Sequence, residues 1–402
     1  MKLIQGSKAK KREYAEVVVL GGGAIGTAIT YYLAKQGRDV LLVERGEFPW
    51  GSSKRCDGHV ATYDSAPGYF SQFCQLGLDM FPAVAADLPC DIEFEPEGLG
   101  LLVDDEGDME SALKNFEGKQ KEGSPVTLWD QKELRYHEPN VADHVLACIN
   151  FTGDAKLNPM RLAFGLAHRA KEYGARIIPE TEITGIGVEN GKVTSIATTT
   201  GTIVTGNVVN ACGAWSPQIG EMAGVSIPVR PRQGQILVTE RVNSLVGKNY
   251  AEFGYLAAKG GAKRPNVTEE MEAYGVAFVT EPTAAGTVLI GSSRRFVGMN
   301  FSPAPPVLRA IAQRAAHFFP AYRASQVIRT YAGVRPATPD GKPIISKTDV
   351  QGFFVATGHE GNGIGLSLIT GQLMADMLCG AEPLMDIAPL RLNRFSSTTP
   401  NS

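Results

Sequence analysis

Residues 16–26 read Glu-Val-Val-Val-Leu-Gly-Gly-Gly-Ala-Ile-Gly, an apolar, β-branched run that breaks into glycines. The run suits a buried strand, and Ile25, Ile29, Tyr32 and Leu33 then fall on one stripe of a helix. Beyond Gly37, residues 39–43 return to strand character, so this stretch predicts a βαβ unit. Gly21, Gly23 and Gly26 occupy the strand-to-helix turn at the spacing a dinucleotide requires. The first allows a tight turn, the second admits a pyrophosphate to the backbone, and the third lets the helix pack on the strand. The unpaired amides and the dipole of the helix start favour the phosphates, which places Ala24 and Ile25 beside them. Glu44, eighteen positions after Gly26, ends the second strand, where a carboxylate accepts hydrogen bonds from ribose hydroxyls. The pattern does not by itself separate FAD from NAD.

Outward from this unit, residues 162–173 read as a helix capped near Gly174, and residues 176–178 as a strand. Asn190-Gly191 fits the two positive-φ positions of a type I′ turn, which makes residues 188–193 a hairpin. Further strands are expected over residues 202–209, 235–239, 287–290 and 352–357. A glycine-rich turn at residues 358–365 leads into a last helix ending at Gly380. The expected fold class is α/β: a Rossmann-like nucleotide domain of discontinuous segments (14–90, 151–225 and 330–395) and a mostly antiparallel β domain with helices (91–150 and 226–329). Residues 1–13 and 396–402 are expected to be flexible termini.

The 402 residues are enough for two cores, and 43% hydrophobic with 20% charged residues is a globular composition. A net charge of -3 gives no basic footprint for nucleic acid, so a small-molecule partner is expected. Six cysteines without a C-x-x-C pair argue against a zinc knuckle, a disulfide framework or an iron-sulfur cluster within the chain. Cys56 and Cys212 read as packing residues. No apolar run is long enough to span a bilayer, and the basic opening lacks the apolar core of a leader. A cytoplasmic location is expected, or one peripheral to the inner membrane through the electron acceptor.

Three later segments narrow the cofactor: residues 208–216 (VVNACGAWS), 333–341 (GVRPATPDG) and 358–365 (GHEGNGIG). With the first fingerprint, they resemble the D-amino acid oxidase-like flavoproteins, over nearly the whole chain. Within that family, Glu138-Pro139-Asn140-Val141, Asn158-Pro159-Met160-Arg161-Leu162, Gly234-Gln235-Ile236-Leu237 and Ile290-Gly291-Ser292-Ser293 look like the flavin subunits of hydrogen cyanide synthase, D-hydroxyproline dehydrogenase and opine oxidases. The resemblance implies FAD-dependent oxidation of a C–N bond in an amino acid, imino acid or opine, giving an imine by hydride transfer. It also implies partner subunits carrying FMN or an iron-sulfur centre as electron acceptor. The alternative is a self-sufficient glycine or sarcosine-type oxidase that releases hydrogen peroxide.

The same resemblance implies roles by residue. Gly21, Gly23 and Gly26 belong at the pyrophosphate, Glu44 and Arg45 at the ribose, Ser52 and Ser53 near phosphate or flavin, and Ile183 at the adenine through its backbone. Gly213, Trp215 and Gly333 join the cofactor residues, although Trp215 reads as core more than as site. Gly361, Asn362, Gly363 and Ile364 bring amides and a helix start to the pyrimidine edge of the flavin, where positive potential raises the reduction potential. Gly333 stands where some members attach FAD through a cysteine, so the flavin is expected to be noncovalent. Arg335 is the expected ligand of the substrate carboxylate, its planar fork suited to bidentate pairing; an ion pair with a structural acid is the plainer reading. His59 and His359 either tune the flavin or bind substrate, or are hydrogen-bonded structural histidines. Residues 241–274, with Tyr255, Lys259, Lys263 and Arg264, read as a long loop that covers the site or docks a partner. The placement of Phe253, Tyr255, Tyr274, Phe278 and Arg294 is left open.

Overall fold

A computed structural model describes residues 11–49, 51–242, 245–259, 264 and 266–395. The expected flexible end at 396–402, residues 1–10 of the opening arm and Lys263 lie outside the described residues.

The nucleotide unit forms as its sequence predicts. Strand Val17–Leu20 leads into helix Ala24–Lys35 and returns as strand Val40–Val43, parallel to the first. Both strands are buried on every residue, as a sheet covered on both faces requires. Arg176–Ile178 extends this sheet on one side, and Asn207–Asn210 and Phe353–Thr357 extend it on the other, all parallel. Ile344–Lys347 closes the edge in the antiparallel sense. Helices Ala24–Lys35, Pro159–Glu172 and Ser367–Cys379 share one apolar core against the sheet. Gly380 ends the last of them in the left-handed region, at φ 73.

A second, four-stranded sheet contains the hairpin Ile183–Glu189 and Lys192–Thr198, with Asn190 and Gly191 at φ 50 and 75 in its turn. Gly201–Val204 continues this sheet, and Lys11–Tyr14 pairs with it in parallel. Residues 11–13 therefore depart from the expected flexible arm: their backbone is held by a strand almost two hundred positions away.

The third sheet has eight strands in the order Val327–Ala337, Arg230–Thr239, Val288–Gly291, Val279–Pro282, Asn249–Glu252, Leu99–Val103, Ala147–Phe151 and Val126–Asp130. Every neighbouring pair is antiparallel except Asn249–Glu252 with Leu99–Val103. Helix Pro305–Phe318 packs against it over a core of Leu237, Ile290, Phe278 and Phe319. The expected boundary at residue 330 is corrected here, because it cuts strand Val327–Ala337, which runs unbroken in this sheet. Residues 241–274 are likewise not a structureless loop. They contain strand Asn249–Glu252 and helices Gly254–Lys259 and Glu269–Ala273.

Candidate active site

A cavity of about 2050 Å³, its open mouth included, runs between the nucleotide sheet and the eight-stranded sheet. At one end are Gly21, Gly23, Ala24 and Ile25, where the first strand turns into its helix. The earliest amides of a helix have no partner within it; that of Ala24 donates to Ser53 Oγ at 3.0 Å. Ser53 is thereby fixed over the turn, while the hydroxyl of Ser52 donates to the carbonyl of Val334 and ties this loop to the eight-stranded sheet. Gly26 departs from the expected set. It is absent from the cavity wall, and a Cβ there would overlap the carbonyl oxygen of Gly21 and lie 3.1 Å from its carbon. Its lack of a side chain serves packing.

Glu44 is buried at the cavity edge, where its carboxylate accepts from the amides of Gly22 at 2.6 Å and Gly46 at 2.8 Å. Each oxygen keeps a lone pair, so hydroxyls of a ribose can still be accepted. Arg45 lies over the Trp215 ring at 4.9 Å and 4.0 Å from Glu182. Ile183, Gly213 and Trp215 line the same end. Trp215 thus faces the cavity, and it stacks on Phe301 with ring centroids 5.9 Å apart.

At the other end, the closing turn contributes Gly361, Asn362, Gly363 and Ile364, just before helix Ser367–Cys379. Asn362 bonds Asp64 through Nδ2 at 3.2 Å, and its carbonyl takes the Leu366 amide at 2.9 Å. Gly361, Gly363 and Gly365 leave this wall without side chains, and helix Ser367–Cys379 begins directly after it. A glycine-lined turn leading into a helix at each end, a ribose-competent carboxylate at one, and a long cavity between them suit an extended dinucleotide.

His359 lines the cavity, but its Nε2 lies 3.0 Å from Thr370 Oγ1, and burial pushes its pKa down to about 3. It is a neutral, hydrogen-bonded imidazole. His59, on the short strand His59–Val60, has Nε2 3.3 Å from Glu281 Oε2. Burial lowers the His59 pKa, with Asp57 and Asp64 opposing, and burial followed by Asp57 raises Glu281 well above the carboxylate range. Both shifts disfavour an ion pair between the two groups. Both Glu281 oxygens also accept from the Gly58 amide, at 3.0 and 2.8 Å.

Arg335 projects from strand Val327–Ala337 into the middle of the cavity, with Gly333 beside it. Its Nη1 donates to the Ser293 carbonyl at 2.9 Å. Among the described residues, no ion pair ties it to an acid; the neighbouring Arg232 instead takes Glu360. Burial, and next the charge of Arg294, push the Arg335 pKa down to about 10, against the pull of Asp57. The plainer reading of Arg335, an ion pair with a structural acid, finds no such pair among the described residues.

Burial also raises the thiols of Cys56 and Cys212, the latter to about 12, so neither is a thiolate near neutrality. Gly333 offers no sulfur for a covalent link. Glu281 was not singled out from the sequence, since its nearest polar partner is 223 positions away.

Against known proteins, the profile of the FAD dependent oxidoreductase family matches residues 16–377. The chain is 27% identical to hydrogen cyanide synthase subunit HcnC of Pseudomonas aeruginosa, over 94% of this chain and 96% of that protein. It is 29% identical to glycine oxidase of Geobacillus kaustophilus, over 94% of this chain and 97% of that one. The crystal structure of the Geobacillus kaustophilus glycine oxidase superposes with a TM-score of 0.85 at 26% identity, covering 95% of this chain and 99% of that one.

Proposed function

Since this chain belongs to the FAD-dependent oxidoreductase family, we propose that it oxidises the C–N bond of an amino or imino acid whose carboxylate is held by Arg335. The observation that carries this is a partly buried guanidinium on the cavity wall that forms no ion pair with an acid of the described residues. A buried cation without a counter-ion is costly, and a ligand carboxylate relieves that cost. The fork then fixes the carbon bearing the nitrogen within the cavity, between the closing turn and the eight-stranded sheet. Gly21, Gly23, Ala24, Ile25, Ser52 and Ser53 would hold the FAD phosphates, Glu44 and Arg45 the ribose, and residues 361–364 the flavin edge. When bound there, FAD supplies the hydride acceptor. The substrate leaves as an imine, which water hydrolyses.

The finer reading is a flavin subunit of a heteromeric dehydrogenase, whose electrons pass to FMN or an iron-sulfur centre of a partner. Likeness to a protein named as a subunit supports it. The rival reading, a self-sufficient oxidase, is supported by likeness to glycine oxidase. Peroxide formation by the chain purified alone, with the best substrate under air, decides for the rival. The reaction itself is tested by an anaerobic screen of D-amino acids, hydroxyprolines, sarcosine, glycine and opines. At least one should bleach the flavin absorbance, and Arg335→Ala should abolish bleaching while FAD stays bound. A flavoprotein that none of them reduces overturns the reading.

A further inference from the structure

Arg335 shares its wall with a second unneutralised guanidinium. Arg294 follows strand Val288–Gly291 and lines the same cavity. Its Nη1 is buried without a hydrogen-bond partner, and no ion pair reaches it among the described residues. The side chain is nevertheless held in place. Its Cζ lies 4.0 Å from the centroid of Tyr255, whose ring also has the Cζ of Arg264 5.6 Å from its centroid. Arg264 is fixed in turn by Glu252 at 3.2 Å and Glu272 at 3.0 Å. The backbone is clasped as well, since the Arg294 amide donates to the Tyr274 carbonyl at 3.0 Å. Gly275, at φ 58, approaches so closely that a Cβ there would lie 2.7 Å from the Arg294 carbonyl oxygen.

Tyr255, Arg264, Tyr274 and Gly275 all belong to, or adjoin, the segment that the sequence presents as a loop. Its described part builds a support for a cation at the substrate cavity. Two guanidinium groups near each other repel, and among the described residues no acid forms an ion pair with either: Glu360 is taken by Arg232, and Asp57 acts on Cys56, His59 and Glu281 as well as on Arg335. A single carboxylate on Arg335 would leave Arg294 Nη1 buried and unpaired, at a cost that a second anionic group removes.

We infer that the substrate is an amino or imino dicarboxylate, with Arg335 on the carboxylate next to the reacting carbon and Arg294 on the second. This rests on the amine-oxidation reading above and names its substrate class. Selectivity then comes from a polar site that is left unsatisfied by the smaller analogue, the arrangement that discriminates best.

The test uses the FAD-loaded protein in two arms. In the first, unreactive malonate and succinate are compared with acetate and propionate by their perturbation of the flavin absorbance. In the second, iminodiacetate, D-aspartate and D-glutamate are compared with sarcosine, D-alanine and glycine as anaerobic reductants. The dicarboxylates should win in both arms, and Arg294→Gln should shrink their advantage by about 10- to 100-fold, the worth of a charge-assisted pair. Arg294→Lys should restore part of it, and the flavin content of each variant reports that it has folded. Equal binding of mono- and dicarboxylates by the unaltered protein overturns the inference, as does an Arg294→Gln variant that weakens both series by one factor. If dicarboxylates bind through Arg294 but no amino acid reduces the flavin, the dianion site stands and the reaction reading falls. If monocarboxylates reduce the flavin as well as dicarboxylates do, the reverse holds.

Discussion

A Cβ at Gly234 would overlap Nη1 of Arg335 and lie 2.7 Å from its Cζ. Gly234 pairs with Gly333 across the two strands, so the guanidinium lies in space left by a residue with no side chain. Gly234→Ala should therefore displace the fork without unfolding the sheet, because the clashing atoms are the far end of a flexible side chain. The expected result is a fall of about 10- to 100-fold in kcat/KM for carboxylate substrates, with FAD content unchanged. Steady-state kinetics and the flavin-to-protein absorbance ratio check it; an unaltered kcat/KM would show that the fork is not held by this gap.

Gly26 makes the contrasting case. The atom that its Cβ would strike is a main-chain carbonyl, that of Gly21, and cannot swing aside. Gly26→Ala should cost about 1–3 kcal/mol or more through overpacking. Because Gly26 lies off the cavity wall, the loss should appear in urea unfolding both with and without added FAD. A variant destabilised only when FAD is present would mean that Gly26 touches the cofactor after all.

These two glycines show what could be read from the sequence. Gly26 was legible because its partner, Gly21, lies within the same turn, and strand, turn and helix carry their own periodicities. The hairpin at Asn190-Gly191 and the stop at Gly380 were legible for the same local reason. The assignment of strand Val327–Ala337 was not, because the strand runs on across the expected boundary and its sheet is decided by pairing with Arg230–Thr239. Lys11–Tyr14 was missed since its partner, Gly201–Val204, is remote in sequence. Arg335 could be named from its motif, whereas the unpaired Nη1 of Arg294 exists only once Tyr255 and Tyr274 have been brought to it.

The Glu281 carboxyl gives the protein a pH dependence of definite sign. Burial and Asp57 raise its pKa well above the ordinary 4.5. An acid raised on folding contributes stability that is fully present below its unfolded pKa and is lost as pH climbs through its folded value. This contribution should therefore decline from mildly acidic to alkaline pH as Glu281 is forced to ionise beside Asp57, whereas His59 and His359, whose pKa values burial lowers, add stability as pH rises toward 6.5. Glu281→Gln keeps a neutral acceptor for the Gly58 amide and should flatten this decline. Thermal unfolding across that range provides the check; parallel curves for the two proteins would remove Glu281 as the cause.

Glu252 is the acid on which the far wall of the cavity depends. It is buried, and it accepts from Arg264 Nη1 at 3.2 Å, Arg314 Nε at 2.7 Å and the Phe278 amide at 2.8 Å. Both arginine side chains are only 3% exposed, so neither can turn to water if the carboxylate is removed. Asp104 still reaches Arg314 at 3.3 Å, and Glu272 still reaches Arg264 at 3.0 Å, which limits the damage. Glu252→Ala should nonetheless cost about 3–5 kcal/mol, as expected when one partner of a buried pair is lost. Glu252→Gln keeps the shape and one acceptor oxygen and should cost less. Because Arg264 flanks Tyr255, and Tyr255 flanks Arg294, any Glu252→Gln protein that folds should also bind dicarboxylates less tightly. Denaturant unfolding and malonate titration of the same sample separate the two effects. A stable Glu252→Ala protein, within about 1 kcal/mol of the original, would show that the two arginines are satisfied by their remaining acids and that the repulsion between them is smaller than the burial implies.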